Sequence, residues 1–87
     1  MVLKLQLKYV ENIPEKLDQN MLYVSFKHQL AIHLCCCGCS FETVTPFDDE
    51  TGWKINISRN EATLTPSILN EECSSHYYIT NNNISWL

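Results

Sequence analysis

Basic residues are scarce and scattered. Six Lys and Arg stand against ten Asp and Glu, a formal net charge of −4. Lys4, Lys8, Lys16, Lys27, Lys54 and Arg59 form no stripe that could neutralise a row of phosphates, which argues against a nucleic-acid partner. Long apolar runs are missing too. A spanning helix needs about 18 or more apolar residues, so no membrane span is expected. The opening MVLKLQLKYV alternates apolar and polar residues and lacks the continuous apolar core and cleavage site of a signal peptide. A cytoplasmic protein is expected, and the sequons Asn56-Ile57-Ser58 and Asn83-Ile84-Ser85 are then chance matches. There is no Gly-rich phosphate loop, no Gly/Ser linker and no internal repeat. The H-E-x-x-H of a metalloprotease helix is absent, as is the H-x-E and P-C-x-x-C pair of the zinc deaminases.

What is present has a period of two. Leu3, Leu5, Leu7 and Tyr9 alternate with Lys4, Gln6 and Lys8, which predicts a half-buried strand. MLYVSF, QLAIHL, FETVTPF, WKINIS, EATLT, HYYIT and NISWL are further short strand candidates. ENIPEKLDQN reads as a loop or a single helical turn, and DDETG as an acidic turn. Arg59-Asn60 and Asn81-Asn82 sit where tight hairpin turns are needed, and Asn tolerates the positive φ of such turns. The expectation is a mainly β fold of six to eight short antiparallel strands in one small domain, residues 1–87, with Trp53 in its core. A chain of this size lies just above the roughly 70–80 residues below which a disulfide, metal or partner is usually required.

The staple is suggested by HLCCCGCS. Cys35, Cys36, Cys37 and Cys39 fall within five positions, and Cys73 is the fifth cysteine. An odd count cannot pair completely, and a reducing compartment disfavours disulfides. Thiolate and imidazole are the preferred ligands of zinc, and Cys73-Ser74-Ser75-His76 supplies a second ligand pair. The candidate metal ligands are therefore Cys35, Cys37, Cys39, Cys73 and His76, one more than a closed tetrahedral site takes. Gly38 would let the backbone fold so that neighbouring thiolates converge. If the strand continued, Cys35, Cys37 and Cys39 would share one face and Cys36 the other, so Cys36 is expected to pack as a small apolar residue. His33 reads as a strand histidine or a group beside the metal, and His28 as a solvated turn residue.

The chain also resembles a small, uncharacterised bacterial family. The matching pieces are NIPEKLDQNMLYVSF, AIHLCCCGCSFETVTPF, a Trp, TLTPSI and CSSHYYITNNNISW, in that order. The family pattern is similar to I-P-E, L-Y-V-S, H-L-C-x-C-G-C-G, V-T-P, L-x-P-S-I and C-x-S-H-Y-x-I, so the resemblance runs from about Ile13 to Trp86. It implies a metal-binding β domain with Cys35, Cys37, Cys39, Cys73 and His76 at the family's Cys and His positions, and His33 matching as well. Cys36 falls where the family usually has Ala or Pro. Ser40 and Leu69 replace residues that are commonly Gly. The resemblance further implies genes near E1-like and E2-like enzymes, and hence an accessory role in a ubiquitin-like modification system.

The first expectation is a structural zinc site in a protein-binding module whose partner is another protein, with no enzymatic activity. The alternative is a zinc- or cysteine-dependent hydrolase acting on a protein conjugate, in which Glu42, Glu71 or Glu72 could serve as base. A further alternative is a thiol redox or metal sensor that uses the surplus cysteines.

Overall fold

The computed structural model describes residues 2–47 and 52–87. The acidic turn expected around 48–51 lies outside the described residues. Among the described residues eight strands follow one another: β1 (Gln6–Tyr9), β2 (Met21–Ser25), β3 (Leu30–Leu34), β4 (Glu42–Pro46), β5 (Lys54–Ser58), β6 (Glu61–Asn70), β7 (Ser75–Thr80) and β8 (Asn83–Trp86). They form two four-stranded sheets in simple sequential order, β1-β2-β3-β4 and β5-β6-β7-β8. Every pairing is antiparallel except β1 with β2, which is parallel. A parallel pair cannot be joined by a tight turn, and the polar loop 10–20 supplies the crossover. No helix among the described residues is long and apolar enough to cross a membrane.

The sheets share one apolar core. Leu5, Leu22, Val24 and Ala31 come from the β1–β4 side, and Ala62, Leu64, Ile68, Tyr77, Ile79 and Ile84 from the β5–β8 side. Trp53 is half-buried and packs against this core. Cys36 is fully buried within it.

The outer faces differ. Leu17, Tyr23 and Ile32 form a second buried cluster, supported by Val10 and Ile13. The loop 10–20 thus folds over the outside of β2 and β3, with the Asp18 N–H donating to the Tyr23 hydroxyl at 3.0 Å. Those two strands are consequently buried on both faces and lose the alternation of a half-exposed strand. β5 and β7 keep it, because nothing described covers the outside of their sheet. That open face carries Ser67 of β6 and His76 of β7.

Two hairpins are closed as their turn residues require. Arg59 and Asn60 have φ of 54° and 61°, and Asn81 and Asn82 have 49° and 66°. Positive φ at both central residues matches the right-handed twist of the flanking strands. Asn82 also ties the two hairpins together: the Ala62 N–H donates to its Oδ1 at 2.8 Å, and its own N–H donates to the Ala62 carbonyl at 2.9 Å.

β6 carries an irregularity. Leu64 pairs Ile79 and Ile68 pairs Tyr77, so Thr65, Pro66 and Ser67 stand opposite Tyr78 alone. Pro66 has no N–H to give a ladder, and a bulge is where a strand tolerates it; here it is exposed, after a cis peptide bond from Thr65. Bulges re-aim the side chains beside them: Pro66, which by parity with Leu64 and Ile68 would face the core, is turned out, while Ser67 keeps the outer face it shares with Leu69.

Candidate functional site

β3 ends at Leu34, and Cys36–Cys39 form a turn in place of a continued strand. Gly38 at φ 95° and Ser40 at φ 66° take the left-handed conformations this turn needs, and the Gly38 N–H donates to the Cys35 carbonyl at 3.1 Å. A second turn, Glu71–Ser74, links β6 to β7 and presents Cys73. It is held by Asn70, whose carbonyl accepts the Cys73 N–H at 3.3 Å.

The two turns meet. The sulfurs of Cys35, Cys37, Cys39 and Cys73 all lie within 4.8 Å of one another, a group that could hold a metal ion. Cys35 Sγ is 3.5 Å from both Cys37 Sγ and Cys73 Sγ. A tetrahedral zinc–thiolate site with bonds of ~2.3 Å has sulfur–sulfur edges of about 3.8 Å, so the four donors already stand near that spacing. All five cysteines are free thiols.

The electrostatics of the group favour one thiolate first. Ser75 and Cys39 side-chain hydrogen bonds lower Cys37 to about 6. Burial raises Cys35, but hydrogen bonds from the Cys37 backbone and from Ser75, Asn70 and Cys73 outweigh it and leave its pKa below the usual thiol value. At Cys39 the Phe41 backbone bond lowers the pKa, yet the neighbouring cysteines push it up to about 12. A bound cation relieves this crowding, because it favours every thiolate at once. Cys36 stands apart, raised by burial to about 11.

Behind the cluster runs a buried polar link between the sheets. His33 Nε2 is 2.7 Å from the Tyr77 hydroxyl, and Asn70 Nδ2 donates to Thr43 Oγ1 at 2.9 Å and to the Tyr77 hydroxyl at 3.5 Å. His33 Nδ1 is buried without a partner. Burial lowers the His33 pKa from 6.5 to about 4, so it stays neutral. A proton on Nε2 leaves a bare lone pair at Nδ1, which costs less than a bare N–H.

His76 is not brought into the sulfur group. It begins the outer face of β7, and its Nε2 lies 2.8 Å from Ser67 Oγ on β6. Its backbone is fixed on both sides: Leu69 is its partner on β6, and its carbonyl accepts the Leu87 N–H at 2.9 Å. Both Ser67 and His76 are half-buried, packed enough to be positioned and open enough to meet a substrate. A serine hydroxyl donating to an imidazole is the arrangement of an activated nucleophile and its base. Sequence reasoning assigned His76 to the metal and gave Ser67 no role. The available signal was that Ser67 and His76 both lie inside motif pieces, L-x-P-S-I and S-H-Y, but their contact depends on the β6–β7 register, which sets Leu69 against His76.

The remaining candidates lie elsewhere. Glu42, Glu71 and Glu72 are exposed. His28 is exposed in the β2–β3 turn, with Nε2 3.1 Å from Asn12 Oδ1. An open cavity of about 360 Å³ lined by Tyr9, Val10, Glu11, Val24, Phe26 and Lys27 belongs to the other sheet.

A family model described as bacterial ubiquitination-like system serine protease (BubE) matches residues 9–87. No curated protein and no solved structure gives a match. The family match links the chain to a bacterial ubiquitination-like system, and with it to a protein partner. It overturns the expectation of a domain without enzymatic activity, and the uncharacterised, accessory standing that went with it, because the matched family is a named protease family. The hydrolase alternative fits it better.

Proposed function

The chain belongs to this family of bacterial ubiquitination-like system serine proteases, and from that premise we propose that it is a serine peptidase with Ser67 as nucleophile and His76 as general base. The observation that carries the reading is the 2.8 Å contact between Ser67 Oγ and His76 Nε2. As Ser67 Oγ attacks the scissile carbonyl carbon, its proton passes to His76 Nε2 and the Oγ–C bond forms. His76 then returns the proton to the departing nitrogen as the C–N bond breaks, leaving an ester on Ser67. Water, deprotonated by His76, hydrolyses that ester and frees the serine. The substrate is a polypeptide of the modification system, either a ubiquitin-like protein extended at its C terminus or its conjugate.

The cysteines have a different task in this reading. Zinc is the metal, and Cys35, Cys37, Cys39 and Cys73 hold it in a closed structural site, with His76 outside the ligand set. When bound, zinc supplies a cross-link between the β3–β4 and β6–β7 turns, within one small zinc-binding domain. Cys73 Sγ also touches Ser75 Oγ at 3.1 Å, one residue before His76, so the clamp fixes the start of the strand that carries the base. Free thiols in a reducing cytoplasm remain available to the metal. The sensor alternative has less behind it: the cysteine left over is Cys36, buried with its thiol raised to about 11, the opposite of a reactive redox thiol.

The test is cleavage of a ubiquitin-like protein carrying a C-terminal extension, by wild type, Ser67→Ala and His76→Ala. Each substitution is expected to lower kcat by on the order of 10³-fold or more with the fold and zinc content unchanged. Cleavage that survives Ser67→Ala would refute the assignment.

A further inference from the structure

The outward face of a half-exposed antiparallel sheet is normally polar. Most of the outer face of β5–β8 follows that rule, with Lys54, Asn56, Ser58, Thr80, Asn83 and Ser85 exposed. The exceptions gather at one point. Leu69, Tyr78 and Leu87 are 56%, 41% and 65% exposed. Leu69 is the cross-strand partner of His76. Tyr78 follows His76 by two on the same face of β7 and stands opposite the bulge that holds Ser67. The Leu87 N–H binds the His76 carbonyl. Three large apolar side chains therefore ring the Ser67–His76 pair on a face that is otherwise hydrophilic.

We propose that Leu69 and Tyr78, with Leu87 beside them, form an apolar subsite that selects polypeptide substrates carrying a bulky aliphatic or aromatic side chain next to the scissile bond. The inference rests on the serine-peptidase reading, and its occupant follows from continuity with the dyad. A side chain laid on Leu69 or Tyr78 puts its own backbone within reach of Ser67 Oγ. The open face admits an extended segment. Leu69 and Tyr78 act here as specificity-determining residues. Both are exposed, so replacing them leaves the core intact.

The experiment is digestion of a mixture of unstructured peptides, with cleavage sites read by mass spectrometry, using wild type, Leu69→Thr, Tyr78→Thr and Ser67→Ala. Threonine keeps β propensity while removing the apolar surface. Wild type is expected to enrich large apolar residues beside the cut. Leu69→Thr and Tyr78→Thr should each reduce kcat/KM for those peptides by ~10-fold or more relative to polar ones, and Ser67→Ala should be silent. An unchanged preference in both threonine variants overturns the subsite and leaves the dyad standing. Cleavage by Ser67→Ala overturns the dyad and the subsite with it. Absence of any peptide cleavage by wild type, or a concentration-dependent dimer in sedimentation that Leu69→Thr abolishes, overturns the subsite in favour of a surface that meets folded protein or a second copy of this chain.

Discussion

His33 and His76 show how one residue type is put to two uses by its surroundings. His76 stands on an open face with a serine hydroxyl at 2.8 Å. His33 is fully buried between the sheets, with Tyr77 on one nitrogen and nothing on the other. The pH dependence follows from the second. Burial lowers the folded-state pKa of His33 to about 4 from 6.5. Between those values the unfolded chain binds more protons than the folded one, so stability falls as pH falls. The contribution is fully present above pH ~7 and fully lost below ~4. From pH 7 to 5 the expected loss is about 2 kcal/mol. Urea unfolding at the two pH values should show it in wild type and a flatter dependence in His33→Gln. Equal losses in both proteins would mean that other groups govern the acid limb. Protonation of the cluster thiols acts on both proteins alike, so the difference between them reports His33.

The two Asn-containing hairpin turns separate backbone need from side-chain need. Asn60 is exposed and meets the demand for positive φ, so Asn60→Gly should change stability by no more than about 0.5 kcal/mol. Asn82 is buried, and its Oδ1 accepts the Ala62 N–H. Asn82→Ala adds left-handed strain and leaves that amide unpaired, an expected cost of about 2–4 kcal/mol. Comparable denaturant midpoints for the two variants would contradict this distinction. These turns were legible because positive φ restricts residue type so strongly. The strand segments were legible from alternation at β5 and β7, and less so at β2 and β3, where the loop 10–20 covers the second face. The strand expected from Leu3 narrows to β1, with Leu3 and Tyr9 exposed. Its parallel pairing with β2 has no sequence signature. The four clustered cysteines could be seen in the chain, but the turn that gathers them ends β3 early. The Ser67–His76 contact could not be seen, since it depends on the register between β6 and β7, which sets Leu69 against His76.

At the scale of the molecule, the sulfur cluster and the dyad lie at the two ends of one short segment, Cys73 to His76. Metal binding and folding are coupled where ligands come from distant turns. Chelation is expected to lower Tm by at least about 10 °C and to abolish peptidase activity in parallel, with zinc addition restoring both. Unchanged Tm after complete metal removal would exclude a structural clamp. The hydrolytic claim itself is tested most directly by a fluorophosphonate, which forms a stable adduct only with an activated serine. Intact mass and peptide mapping of the treated protein should give a single adduct on Ser67, slowed by on the order of 100-fold or more in His76→Ala. No adduct, an adduct on another serine, or equal labelling without His76 would contradict the dyad.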